Sequence, residues 1–494
     1  MKKTYIVFSI IFVLFWMQSI RFLDSDFGWH LAQGQEIIAN GIPKTDLFSY
    51  TMPSYSLLIH SWFSEVFFAR TFPALGFIGL GALGALLITV GLLIHVRSQN
   101  PTLVLVPLLL TASTLLSFIA VRPQVFTWFF FSFLLFLLLQ KKPAWLYLIP
   151  LIFIVWVNLH GGFAAGIGVL ILDLLFTIGT HKKLLLPKIA IILLSILATC
   201  INPYGPLIWK EVWMTFFDAP LRGSIAEWQP TIYIVHFSFY FYLALATMLA
   251  WRYRKSLPLP LLGLYIVFFV LGLSSNKHVP LFAIFAFPLT IYMLSLFQKE
   301  AAKKKGGSAR FDRAYKVFSL ITLIVVLVQL VSTVQDAHAF SEDSFYPKRA
   351  VVYLKQSLPK GQIFSDYGWG GYLIWKLPEK KVYIDGRMAI WRWDGKNSNE
   401  TDNAFRDYLA VTEGRKSFFE EANKYNIDTV LLPTPTEEKE DIFVNIPILK
   451  EIIQRVKKQK PYGDIVSQVK AAGWKEVYRD EVAVIYQKIV DRKN

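Results

Sequence analysis

The chain has 494 residues, 54% of them hydrophobic, including 41 Phe, 22 Tyr and 15 Trp. That exceeds what a soluble core needs, and repeated windows of roughly 17–25 apolar residues match bilayer-spanning helices. The formal charge of +16 does not point to nucleic acid, because the lysines and arginines fill short links between apolar runs, where they orient the chain and meet anionic lipid heads.

Lys2 and Lys3 precede an apolar run over 5–20. No small-residue cleavage site follows, so the spacing predicts an uncleaved first span. A polar connection over 24–61 comes next. Within it, Phe27 to Asn40 has helical spacing, with Asp26 as N-cap and Gly41 as the left-handed stop before Pro43. Trp29 and Phe27 predict that this helix lies in the membrane interface.

Further apolar runs cover 74–96, 102–120, 124–139, 144–158, 162–180, 185–201, 233–251, 258–273, 279–297 and 315–334. With the first they predict about eleven spans, some broken or re-entrant where Pro107 and glycines interrupt them. Alternate ends carry Lys2 and Lys3, Arg97, Lys141 and Lys142, Lys182 with Lys183 and Lys188, Arg252 with Arg254 and Lys255, and Lys303 to Lys305 with Arg310. By the positive-inside rule those ends, and the N-terminus, are cytoplasmic in a multi-pass plasma-membrane protein. Every unusual polar motif then falls on the opposite face: Asp24 to His30, Arg122-Pro123-Gln124, Asn158 to Gly162, Asn202-Pro203-Tyr204-Gly205, Glu227-Trp228-Gln229 and Asn276-Lys277-His278.

The link Gln298 to Asp312 is rich in Lys, Ala and Gly and reads as flexible. From about Ser341 the composition becomes that of a soluble domain of roughly 150 residues, large enough for its own core. Strands are predicted over 361–365, 372–376, 381–385, 429–432 and 482–487, and helices over 348–356, 415–425 and 447–457. The expected architecture is an α-helical polytopic membrane domain over 1–340, with its first external loop over 21–61. An extracytoplasmic α/β domain over 341–494 follows.

Asp24 and Asp26 are the leading catalytic candidates. An acid pair at that depth needs water, a cation or a base to offset its cost. One carboxylate can serve as general base. The pair can also take a divalent cation, Mg or Mn, since hard cations prefer carboxylate oxygens; no other cofactor is expected. The plainer alternative makes Asp26 a helix cap and Asp24 a solvated loop residue. His30, one turn beyond Asp26, can orient a carboxylate or meet a phosphate. Asp46, His60 and Glu65 continue the polar wall, although Asp46 also suits an Asx turn and Glu65 a helix-dipole contact. Arg122 suits a phosphate with its planar fork, or snorkels at the interface. Lys277 and His278 form a cationic pair at a helix mouth. Asn158, His160, Asn202 and Tyr204 sit beside Gly and Pro, as substrate contacts or as tight turns. Glu227, Trp228 and Gln229 offer an acid, an aromatic plate and an amide to a sugar ring. Asp173, the one acid well inside a span, reads as an interhelical hydrogen-bonding group. In the soluble domain, Asp366 to Tyr372 and Tyr383 to Arg387 suit carbohydrate or docking, and Trp391 and Trp393 add exposed aromatic surface.

The acid pair after the first span, the helix in the first external loop and the span number resemble the GT-C superfamily of polytopic glycosyltransferases that use polyprenyl-phosphate sugars. Asp26-Phe27-Gly28-Trp29-His30-Leu31 with Gly34, Gly41, Pro43, Asp46, Ser49, Tyr50, Thr51 and His60-Ser61-Trp62 is similar to a broad prokaryotic group within it. Phe364 to Gly368 and Tyr383 to Arg387 are similar to that group's C-terminal external domain. The resemblance implies an inverting glycosyltransferase of hexosyltransferase type, with a polyprenyl-phosphate sugar donor and a glycan, lipid or protein acceptor. It also implies that Asp24 or Asp26 is the catalytic acid of the first external loop. A lipid-linked oligosaccharide ligase or polymerase, a transporter and a non-catalytic scaffold are the other readings. Transporters usually show repeat symmetry and midplane charges, whereas this chain has one deep acid, Asp173, and no evident repeat.

Overall fold

The structure, a computed structural model, describes residues 2–96, 101–140, 143–178, 182–217, 224–234, 236–392, 399–435 and 462–488. Arg97, Lys141, Lys142, Trp393 and the helix expected over 447–457 lie outside these residues. The chain forms two compact units, Met1–Phe22 with Ile59–His338, and Leu23–Leu58 with Ala339–Asn494. The first external loop therefore groups with the C-terminal residues.

The first unit is helical throughout. Its helices are α1 (Lys2–Arg21), α3 (Trp62–Leu93), α4 (Pro101–Leu116), α5 (Gln124–Leu138), α6 (Ile149–Leu159), α7 (Phe163–Thr177), α8 (Leu185–Ala198), α9 (Ile208–Phe217), α10 (Phe237–Tyr253), α11 (Leu259–Ser274), α12 (Val279–Ala302) and α13 (Gly307–Ala339). Helix α2 (Phe27–Asn40) belongs to the second unit. Among the described residues three helical segments are long and apolar enough to cross a membrane: Trp62–Leu93, Asn276–Ala302 and Gly307–Ala339. Seven more apolar helices have 10–17 residues. A helix of about 15 residues rises roughly 22 Å against a hydrocarbon core of roughly 30 Å. Helix breakers take up the rest of several predicted runs. Helix α6, for example, stops at Leu159 because His160 turns extended, at φ −167°, before Gly161 and Gly162. Helix α3 begins at Trp62, well ahead of the expected residue 74, and bends where Gly76 adopts φ +55°. A side chain would resist that conformation.

Helix α12 is the core of this unit. Phe282, Phe285 and Phe287 are buried, and α4, α10 and α11 pack around it. Helix α13 is the opposite case. Leu320, Ile324, Leu327 and Val331 form an exposed apolar stripe along it, which suits lipid and would be costly in water. The protein is thus a membrane protein. Asp173 on α7 is an interhelical partner: Lys188 Nζ lies 2.5 Å from its Oδ2 and 2.8 Å from Thr177 Oγ1.

The second unit carries α14 (Lys348–Gln356), β1 (Gln362–Ser365), α15 (Gly370–Lys376), α16 (Ala404–Thr412), α17 (Phe418–Tyr425), β2 (Ile427–Pro433), α18 (Gly463–Ala471), β3 (Lys475–Arg479) and β4 (Ala483–Gln487). The sheet order is β1-β2-β4-β3, with β1 parallel to β2 and the other pairs antiparallel. The stretch 372–376, expected as a strand, is helical. Tyr372 to Trp375 is a continuous apolar run that also suits a buried strand, but Gly370 and Gly371 open a helix whose Tyr372, Leu373 and Ile374 are all buried. The stretch 381–385 joins no strand of the sheet. It pairs with the first external loop instead, through Val382 N–H to Phe48 O at 2.9 Å and Tyr50 N–H to Val382 O at 3.1 Å. Trp391, expected as exposed surface, is 6% exposed and stacks on Tyr55 of that loop.

Asp173 and Lys188 are half-buried, so breaking the pair on one side leaves a partly desolvated charge unpaired, at a cost below the roughly 3–5 kcal/mol of a fully buried pair, whereas replacing both partners by apolar groups is often neutral. Lys188→Met should therefore lower the thermal midpoint in detergent clearly more than Lys188→Met with Asp173→Leu. Equal losses in a melting comparison would contradict this account.

Candidate functional site

In the second unit the acid pair opens α2. Asp26 occupies the N-cap position at φ −89° and ψ −16°, but its side chain caps no backbone N–H. Its Oδ1 accepts instead from Trp29 Nε1 at 3.1 Å, and its own N–H donates to Asp24 Oδ1 at 2.9 Å. The cap expected from sequence is thus replaced by an indole contact, because Trp29 folds back over one helical turn. Gly41 ends the helix as expected, yet at φ +83° and ψ −178° rather than in the left-handed helical well.

His30 is buried against Trp29, with ring centroids 3.5 Å apart, and its N–H donates to Asp26 O. The apolar face of α2, expected at a membrane interface, is covered by α15 of the same unit: Phe27 meets Trp375 edge-on at 5.4 Å. Asp46 is no open wall. It is buried, accepts from Ser49 N–H at 2.7 Å through Oδ2, and sets Oδ1 2.9 Å from Arg387 Nη2.

The first unit gathers four of the other candidates, His60, His160, Lys277 and His278, around one cavity of about 170 Å³. Thr127, Glu211 and Trp228 line it as well. These residues come from the lead into α3, the start of α5, the α6–α7 turn, α9, the turn at Trp228 and the mouth of α12. Proline and glycine end these helices together on one face, so the polar groups meet there. His60 Nδ1 lies 2.6 Å from Glu211 Oε1. Burial disfavours the imidazolium, but the charge and hydrogen bond of Glu211, with Glu65 beyond, outweigh it and raise the pKa of His60.

His160 is the reverse. Gly162 N–H donates to its Nδ1 at 3.0 Å, and Thr127 Oγ1 lies 2.8 Å from the same atom. Nδ1 is therefore an acceptor, and the neutral ring carries its proton on Nε2. Burial, reinforced by His60, Lys277 and Arg122, holds its pKa well below the ordinary value. Trp156 Nε1 donates to Thr127 Oγ1 at 2.9 Å and fixes that hydroxyl.

Lys277 Nζ stands 4.5 Å over the Trp228 ring, and His278 meets the same ring edge-on at 6.1 Å. The loop bearing Trp228 is tied to the α12 mouth by Asn276 Nδ2 to Ala226 O and Ser275 Oγ to Glu227 O, both at 3.1 Å. Arg122 Nη1 meets Glu227 Oε1 at 2.6 Å. That charge, opposed by burial and helped by Lys277, pulls the Glu227 carboxyl down to about 2. Arg122 thus holds a protein carboxylate where a phosphate was expected.

Asn158 is a structural staple. Its Oδ1 accepts from Trp62 Nε1 at 2.7 Å, and its Nδ2 donates to Ile154 O and Ile201 O, both at 2.8 Å. Asn202 likewise closes its own turn, through Tyr204 N–H to Oδ1 at 2.7 Å. The Tyr204 phenol is pushed up to about 12 by burial and stays neutral. Glu65 is fully buried and accepts from Ser61 Oγ at 2.7 Å.

Sequence reasoning missed Glu211 and Thr127. Glu211 is the single acid of the run Ile208–Phe217, where Lys210 and Thr215 are the other polar residues among apolar and aromatic ones, which was the available signal. Among the described residues no group of three or more His, Cys, Asp or Glu is arranged to hold a metal ion. Asp24 and Asp26 supply two carboxylates, each accepting a hydrogen bond from the loop itself.

The His60–Glu211 pair links stability to pH. A histidine raised in the folded state stabilises fully below its unfolded value near 6.5, and the gain is lost as pH rises through the folded value. The midpoint of wild type should therefore fall above pH 6.5, and Glu211→Gln should flatten that slope. An unchanged slope in a pH series of melts would exclude the pair as its source.

No family model matches the sequence, and no curated protein sequence matches it. Solved structures do match. The apo oligosaccharyltransferase of Archaeoglobus fulgidus aligns at a TM-score of 0.56 and 13% identity, over 87% of this chain and 69% of that one. The same enzyme tethered to an acceptor peptide with the NVT sequon aligns at 0.54 and 13%, over 86% and 69%. ArnT of Cupriavidus metallidurans bound to undecaprenyl phosphate aligns at 0.49 and 12%, over 99% and 98%. The first two alignments show the fold: over most of its length the chain is folded like that archaeal oligosaccharyltransferase.

Proposed function

We propose that this protein transfers a sugar from a polyprenyl-phosphate-linked donor to an extracytoplasmic glycan, lipid or protein acceptor. The observation that carries this reading is the cavity of the first unit. Lys277, His278 and His60 line it beside the Trp228 ring, at the ends of apolar helices. A cation backed by an aromatic plate suits a phosphate joined to a sugar, and the surrounding apolar helices suit a lipid tail. The GT-C fold supports the same class of reaction.

In this reading Lys277 and His278 hold the donor phosphate, and His60, whose protonated form Glu211 favours, adds a donor. Arg122 orders the Glu227–Trp228 loop and contributes positive potential. Asp24 or Asp26 of the first external loop accepts the proton of the acceptor hydroxyl. That oxygen attacks the anomeric carbon as the phosphate leaves, and the configuration inverts. A hard cation at the acid pair would supply charge neutralisation of the leaving phosphate. The N-terminus is cytoplasmic and the C-terminal domain extracytoplasmic.

A second reading has a specific observation behind it. Two solved neighbours with TM-scores above 0.5 are structures of one archaeal oligosaccharyltransferase, which favours a lipid-linked oligosaccharide as donor and a ligase or polymerase.

Native mass spectrometry of the purified protein with undecaprenyl phosphate tests the phosphate site. Wild type should retain the lipid, and Lys277→Ala should weaken retention at least tenfold, as loss of one charge-assisted contact of roughly 1.5–3 kcal/mol requires. Equal retention would remove the phosphate assignment. In a transfer assay with undecaprenyl-phosphate hexose, alanine at both Asp24 and Asp26 should slow turnover on the order of 10²–10⁴-fold. Unimpaired transfer would remove the base.

A further inference from the structure

The proposed transfer assigns no role to two glycine-bearing stretches of the C-terminal residues, 366–372 and 383–387. Both abut the first external loop within the second unit. A Cβ on Gly28 would stand 2.0 Å from Gly371 O, and one on Gly371 would stand 2.2 Å from Ser25 O. A Cβ on Gly386 would stand 2.2 Å from Asp26 Oδ1. No real Cβ approaches that closely, so the loop backbone and the Asp26 carboxylate lie against surface that only glycine leaves free.

The same Oδ1 is held from another direction by Trp29 Nε1 at 3.1 Å. Arg387 lies beside that indole, with Cζ 5.8 Å from the Trp29 centroid, 5.1 Å from Phe48 and 5.2 Å from Trp391. The guanidinium is itself fixed. Its Nε donates to Asp385 Oδ1 at 2.8 Å and Nη2 to Asp385 Oδ2 at 2.7 Å, while Asp46 of the loop approaches Nη2 at 2.9 Å. All three side chains are buried. A planar fork between two carboxylates has one orientation, so the plates around it are fixed as well.

We infer that Gly386 and Arg387 are positioning residues for the Asp26 carboxylate: Gly386 leaves the space in which it stands, and Arg387 holds the Trp29 indole that hydrogen-bonds it. The C-terminal domain then supplies one wall of the candidate catalytic loop. The catalytic consequence rests on the reading of Asp26 as the base, whereas the placement of Asp26 does not.

The test uses the full chain and the Raman band of the Trp29 indole N–H, taken as the difference from Trp29→Phe. In Gly386→Ala the new Cβ must displace Asp26 Oδ1. The Trp29 band should shift to that of a weaker hydrogen bond. The turnover of undecaprenyl-phosphate hexose should fall on the order of 10²-fold, as a misplacement near 1 Å can cost, with the donor KM held. Arg387→Lys, which keeps the charge and loses the fork, should shift the same band, and it serves if Gly386→Ala does not fold. Gly168→Ala, at a glycine with open space around it, should change neither reading. A Trp29 band unchanged in both folded variants overturns the inference. Normal transfer by Asp26→Asn would instead overturn the base, and the Raman result would still decide the placement.

Discussion

A buried guanidinium between two carboxylates decides where the first external loop belongs. Arg387 and Asp385 come from the C-terminal residues, and Asp46 comes from the loop. Removing any one of them leaves charge in a desolvated place, which costs far more than an exposed ion pair contributes. The loop is therefore committed to the C-terminal unit. Backbone pairing of Phe48 and Tyr50 with Val382, and the stacking of Tyr55 on Trp391, follow from that commitment. The acid pair at Asp24 and Asp26 is carried along, so the candidate base and the soluble domain form one folding unit.

The first unit solves a different problem. Its helices must bury long apolar faces and also keep polar groups around the cavity. Helix α12 takes the core, while α13 leaves an apolar stripe outside. The polar groups are confined to the helix ends, where proline and glycine release the chain from the helix. Within that ring the two histidines are driven apart electrostatically. Glu211 favours the proton on His60, whereas the backbone N–H of Gly162 makes His160 Nδ1 an acceptor. One residue type is thus tuned in two opposite directions beside one cavity.

Much of this was legible in the chain. Charge asymmetry between alternate ends predicted the polar motifs on one face, and eight of the cavity's residues belong to those motifs or to the loop before α3. The helices α14 and α17 and strands β1, β2 and β4 followed from period and composition. The errors have physical causes. Residues 372–375 are apolar without a break, which suits a buried strand and a short buried helix equally well, and periodicity cannot separate the two. Trp391 looked exposed because its partner, Tyr55, lies more than three hundred positions earlier.

By itself the sequence determined the membrane class, the helix ends and the chemistry available at them, because hydropathy, proline, glycine and charge act locally. Tertiary structure alone decided the partners. Arg122 faces Glu227 and His60 faces Glu211, while Asp26 leans on Trp29 and Gly386. Each of these pairings depends on which helix or loop packs beside which, and close packing with desolvation of charge fixes that only once the chain has folded.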